Sequence, residues 1–180
     1  MDKEKYLKLK KEYGMTSGWA IWDEGDITSS AIVDNNIEIL HSKVVVLGLA
    51  ASKKITQDWG NFRLGIHDRK LRMIFNNDPR FKGSYMTVLF KESERLNKKI
   101  QTPKNLKLRE EDKSFLEIEL DRVGANESTL FILLGDKVDK DINLFLPKKY
   151  LNNRAIKFRS HSDFSLKDYA WVAENLLRLK

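Results

Sequence analysis

The chain has 180 residues, 41% of them hydrophobic and 33% charged, which is the balance of one globular domain and not of a disordered or fibrous chain. It has no cysteine, which excludes disulfides, thiolate zinc sites and cysteine-held iron–sulfur clusters, and its three histidines make a zinc site improbable. The formal charge of +7 and pI of about 9.4 favour a polyanionic partner. No apolar run reaches the ~20 residues a membrane helix needs. The charged start Met1-Asp2-Lys3-Glu4-Lys5 leads into no apolar segment of a signal peptide, so a cytoplasmic protein is expected. Residues 1–180 read as a single domain, with 1–40 as a helical and aromatic extension packed on it.

In chain order, residues 3–13 predict a basic helix with Tyr6, Leu9 and Tyr13 on one face and Gly14 as its stop. Residues 15–40 are irregular and carry Trp19 and Trp22. The run Lys43–Leu49 is the clearest strand, β-branched throughout its middle and hence suited to burial on both faces of a parallel sheet. Residues 68–76 predict a helix with Asp68 as N-cap and Leu71, Ile74 and Phe75 inward. A second strand is expected at 84–90, then a polar loop over about 91–109. An amphipathic helix is expected over 110–123, with Leu116, Leu120 and Val123 on one face and Gly124 just past its end. Strands at 129–134 and 155–158 follow. A last helix begins near Ser165 and buries Tyr169, Val172, Ala173, Leu176 and Leu177.

Strands alternating with helices predict an α/β fold of three layers, α/β/α, around a four-stranded, mainly parallel sheet. In such sheets ligands bind beyond the carboxyl ends of the strands. Those ends are Gly48–Ser52, the second strand near Val88 and Lys91, Gly135-Asp136-Lys137 and Arg159–Asp163, and three constellations stand out in the sequence. Gly48-Leu49-Ala50-Ala51-Ser52 is a turn of small residues that lets a ligand approach the backbone, although such turns are common without function. Trp59-Gly60-Asn61-Phe62 offers an aromatic face to a flat ligand, or plugs the core. Arg159-Ser160-His161-Ser162-Asp163 gathers hydrogen-bond donors around a histidine that is either structural or catalytic. No phosphate-binding glycine loop, nucleophile elbow or carboxylate cluster of metal spacing is present.

Taken together, residues 42–180 resemble the uracil-DNA glycosylase superfamily. Val44 to Ser52 looks like its first motif, which is commonly of the G-L-N-P-S or G-I-N-P-G type. Trp59 to Phe62 looks like the segment whose aromatic ring stacks on a flipped base. Gly83-Ser84-Tyr85-Met86-Thr87 through Lys91 looks like its second-strand segment, and Arg159 to Asp163 looks like its histidine motif. The resemblance implies a DNA glycosylase that flips out and excises uracil or a hypermodified cytosine, such as a phage modified base, leaving an abasic site. It places Ala50 where many relatives carry the asparagine that positions water, and His161 at the catalytic histidine. It assigns Gly48, Leu49, Asn61, Phe62 and Val88 to the base, and Ser52, Lys53, Lys91, Arg159, Ser160 and Ser162 to DNA. It implies no cofactor or metal, a DNA partner, no membrane, and a monomer acting in repair or phage defence.

Three departures qualify the resemblance. Ala50 is either an engineered Asn→Ala exchange or a natural loss of activity. Val88 stands where relatives read the base edge with a polar side chain, which argues against plain uracil readout. Ser162-Asp163 replaces Pro-Ser. The competing readings are a DNA-binding module that kept the fold without catalysis, and an α/β protein that binds a small nucleotide.

Overall fold

The computed structural model describes residues 1–50, 55–63, 68–91, 110–134, 146–153 and 155–158. The sheet forms where β-branched and aromatic runs occur. β1 (Gly18–Trp19), β2 (His41–Ala50), β3 (Ser84–Phe90), β4 (Leu130–Leu134) and β5 (Ala155–Phe158) lie in the order β1-β3-β2-β4-β5. β2 pairs in parallel with β3 and with β4, and β4 pairs in parallel with β5. β1 pairs antiparallel with β3, so the sheet is mixed. This two-residue strand at the edge lies in the stretch expected to be irregular, and its apolar run of Gly18-Trp19 is too short to carry an alternation signal.

Strand alternation sorts the core onto the two faces of the sheet. Val45 and Leu47 of β2 join Phe131 and Leu133 of β4 on one face, under Tyr6 and Leu9 of α1 (Lys3–Tyr13) and Leu116, Leu120 and Val123 of a long helix at Glu110–Val123. Val44, Val46, Met86, Ile132 and Leu134 form the other face, under Leu71, Ile74 and Phe75 of the helix Asp68–Phe75. Helices thus cover both faces, and the α/β class is established. The one-turn helix Ala31–Asp34 precedes β2. Among the described residues the α-helices in chain order are α1, α2 (Ala31–Asp34), α3 (Asp68–Phe75) and α4 (Glu110–Val123).

The first forty residues belong to this core. Tyr6, Leu9, Trp19, Ile21, Val33 and Leu40 are all buried in the α1/α4 layer. Asp68 is the first residue of α3 instead of its N-cap. The helix expected after Ser165 lies outside the described residues. Among those described, no helix is long and apolar enough to cross a membrane.

α4 stops through a glycine cap. Ala125 N–H donates to the Leu120 carbonyl at 2.9 Å and Gly124 N–H to Asp121 at 3.0 Å, the paired bonds of a Schellman motif, and Gly124 has φ of +90°. A Cβ there would first meet the movable Lys5 ammonium at 3.1 Å, so backbone conformation sets the penalty. Gly124→Ala is expected to cost about 1–2 kcal/mol. Urea denaturation measures this, and an unchanged midpoint would show that the cap relaxes freely.

Candidate functional site

The carboxyl ends of β2 and β3 meet in register, with Gly48 beside Val88 and Ala50 beside Phe90. Over them lies the Trp59–Arg63 turn. A Cβ built on Gly48 would sit 3.2 Å from Phe62 Cζ and 3.4 Å from Val88 Cγ1, so the absence of a side chain at 48 lets the Phe62 ring pack onto the strand. Phe62 is half-buried, whereas Val88 is buried and presents only methyl groups. Three residues expected at the base, Gly48, Phe62 and Val88, therefore come together although they span forty residues of sequence. Leu49 and Ala50 are half-buried at the end of β2 and pack toward the α1/α4 layer.

The turn is built with strained backbone. Trp59 and Phe62 both have left-handed φ, of 59° and 62°, which costs energy for residues with side chains. Surrounding contacts hold it. Trp59 N–H donates to the Gly14 carbonyl at 2.6 Å, and its indole N–H donates to Tyr6 Oη at 2.9 Å. Gly14 is needed for this approach, because a Cβ there would lie 2.4 Å from the Lys10 carbonyl oxygen and 2.8 Å from Asp58.

Tyr6 in turn donates to Asp34, and burial beside that carboxylate pushes its phenol well above the ordinary tyrosine range. Trp59 is thus fully buried and is the core plug, leaving Phe62 as the ring with accessible surface.

Asn61 serves the turn itself. Its amide nitrogen donates to the Thr16 carbonyl at 2.9 Å and its oxygen accepts from Phe62 N–H at 3.0 Å. These bonds commit it to holding Phe62, a correction to its expected place at the base. Arg63, passed over in the sequence, is buried at 3% exposure. Its guanidinium donates to the carbonyls of Trp59, Ser29, Trp19 and Ile21, and lies 5.6 Å from the centre of the Trp22 ring. Burial lowers its pKa to about 10.

Lys91 also departs from expectation. Its ammonium turns inward to Glu119 at 2.8 Å and Ser17 Oγ at 3.0 Å, and bonds Thr87 Oγ1. Tyr85 and Thr87 hydroxyls reach the same Glu119 oxygen, each at 2.7 Å, and Ser17 reaches it at 2.8 Å. Glu119 is 1% exposed, so a buried carboxylate claims the lysine and withdraws it from a DNA phosphate. Desolvation lowers the Lys91 pKa, and the Glu119 charge opposes that shift. Burial next to the same carboxylate pushes the Tyr85 phenol well up. The sequence carried one sign of this network. Glu119 stands on the helix face of Leu116, Leu120 and Val123, where an unpaired carboxylate is costly.

His161, Arg159, Ser160, Ser162, Ser52 and Lys53 lie outside the described residues. Among the described residues no group of three or more His, Asp or Glu side chains is placed to share a metal ion. No protein-family model, no curated protein and no solved structure matches the chain.

Proposed function

We propose that the protein is a DNA glycosylase of the uracil-DNA glycosylase kind, which excises a damaged or modified pyrimidine. The observation that carries this reading is the packing of Phe62 over Gly48, itself beside Val88, at the carboxyl ends of adjacent parallel strands. A sheet with helices on both faces is the α/β class to which a protein of this kind belongs. The strained turn that presents Phe62 agrees as well, since such strain collects at ligand sites.

In this mechanism the target base leaves the duplex at a cost of a few kcal/mol and stacks on Phe62. The N-glycosidic bond breaks with its electron pair passing to the base, while positive charge develops at C1′. His161 donates a hydrogen bond to the base carbonyl as negative charge grows there, an effect worth ~3–4 kcal/mol for one donor. Water then adds to C1′, its proton passes to the departing base anion through solvent, and an abasic site and the free base remain. Val88 is 1% exposed and has no polar group, so it reads no base edge, and a modified cytosine stands beside uracil as the target because the polar reader expected at that position is lost.

A second reading is a DNA-binding module without catalysis, favoured by Ala50, whose side chain has no amide to hold water. Oligonucleotides carrying uracil, 5-hydroxymethylcytosine and glucosylated 5-hydroxymethylcytosine, incubated with the protein and cleaved with alkali, separate the two. Strand breaks on any of them support the glycosylase. Their absence, for this protein and its Ala50→Asn variant alike, overturns it.

Both readings predict salt-sensitive DNA binding. Neutralising ~4–6 phosphates gives a slope of log K against log salt of about −3.6 to −5.4. Lys91 is excluded from that count by its ion pair with Glu119. A flat salt titration by fluorescence anisotropy removes DNA as the partner.

A further inference from the structure

The buried polar network lies on the sheet face opposite Phe62, yet a continuous chain of contacts joins the two. Lys91 Nζ donates to Ser17 Oγ at 3.0 Å, and Ser17 donates to Glu119 at 2.8 Å, so the ion pair grips residue 17 from both sides. The neighbouring Thr16 carbonyl accepts from the Asn61 amide at 2.9 Å. Gly18, on the other side of Ser17, packs so closely on the turn that its Cβ would lie 2.8 Å from the Asn61 carbonyl oxygen. Asn61 then accepts from Phe62 N–H at 3.0 Å, in the residue whose φ is held at 62°.

We infer that Lys91 and Glu119 are positioning residues for the candidate site, fixing the Phe62 ring through Ser17, the Thr16–Gly18 backbone and Asn61. The physical reason lies in the cost of moving the parts. A left-handed phenylalanine returns to ordinary backbone unless its neighbours prevent it. Thr16–Gly18 contains only the last residues before and within a two-residue edge strand, which by itself anchors weakly. An ion pair whose carboxylate is buried tolerates little displacement, because separation leaves a charge without a partner in low dielectric. Binding Ser17 to that pair gives the short segment a rigid attachment, and Asn61 carries the rigidity to the ring. Lys91 and Glu119 touch no base in this scheme and act only through the turn.

The relevance to base stacking rests on the glycosylase reading, whereas the mechanical coupling does not. The test places 4-fluorophenylalanine at position 62 of the full chain and, separately, at Phe75, which belongs to the same core layer as Phe62 but is not on this path. Fluorine spectra are taken without DNA. Lys91→Met and Ser17→Ala are each expected to shift and broaden the Phe62 signal while the Phe75 signal stays in place. Adding Ser17→Ala to Lys91→Met is expected to produce no further shift, because both break one path.

A Phe62 signal unmoved by Lys91→Met, or a Phe75 signal that moves equally, overturns the inference. If Lys91→Met does not fold, the Lys91→Met/Glu119→Gln pair, which removes both charges, takes its place under the same criterion. On DNA, in a background that excises, Lys91→Met is expected to lower the single-turnover rate roughly tenfold while affinity holds. Inactivity of both this protein and its Ala50→Asn variant, with a coupled Phe62 signal, sinks the glycosylase reading alone, and an active protein with an uncoupled signal sinks this inference alone.

Discussion

Arg63→Met is expected to lower folding stability by about 3–5 kcal/mol, a large part of the 5–15 kcal/mol typical of a domain. The side chain is 3% exposed, and its described hydrogen-bond partners are all backbone carbonyls. Methionine fills much of the same space, so the loss is chiefly one of hydrogen bonds. Removing a partner from a buried acceptor costs about 1–3 kcal/mol each. The Trp19 carbonyl keeps Ile21 N–H at 2.8 Å, which reduces its share.

The four carbonyls belong to three separated stretches, at residues 19–21, 29 and 59. One planar guanidinium therefore ties the Phe62 turn to the edge of the sheet and to the loop before α2. Arg63→Lys is expected to recover little of the loss, because a single ammonium cannot span acceptors that diverge around a planar fork. Urea denaturation followed by circular dichroism provides the measurement. A loss under about 1 kcal/mol would mean that water replaces the guanidinium and that the turn is held by Trp59 and Asn61 alone.

Arg63 also shows where reading the sequence stops. Apolar runs and periodicity located β2 to β5 and the long helices, but not the two-residue β1, because Val44–Leu47, Leu130–Leu134 and the Leu116/Leu120/Val123 stripe each carry a local apolar signal. Family-like motifs located Gly48, Phe62 and Val88, which the fold does bring together. Side-chain partnerships had no such signal. Arg63 bonds carbonyls up to 44 residues away, and Lys91 finds a carboxylate 28 residues on. A carbonyl is offered by every residue, so no composition or spacing marks which ones a buried arginine will take. Lys91 looked like a surface charge for the same reason. Asn61 looked free for a ligand because the Thr16 carbonyl that occupies it is 45 residues earlier.

Ala50→Asn is expected to raise the rate of abasic-site formation by ~10²-fold or more, since losing a group that positions a reactant commonly costs that much. Ala50 is the last residue of β2, beside Phe90 and two residues beyond the glycine that Phe62 covers. It is half-buried and packs against the α1/α4 layer, so an asparagine there keeps only part of its surface open. In the proposed reaction the base departs before water attacks, and the attacking water needs a fixed place beside C1′. Alanine supplies no donor or acceptor from its side chain, which leaves only backbone groups to hold that water.

DNA affinity and its salt slope are expected to stay unchanged, because phosphate contacts set them. Single-turnover assays of the two proteins on the same modified oligonucleotides decide the matter. Equal and readily measured rates would show that this mechanism works without an amide at position 50. His161→Ala added to Ala50→Asn completes the test. If the histidine stabilises the departing base, its removal slows the Ala50→Asn variant, in which water attack is assisted, by roughly 10²–10³-fold. If removal changes nothing, charge on the leaving base is stabilised elsewhere, and the histidine motif was misassigned.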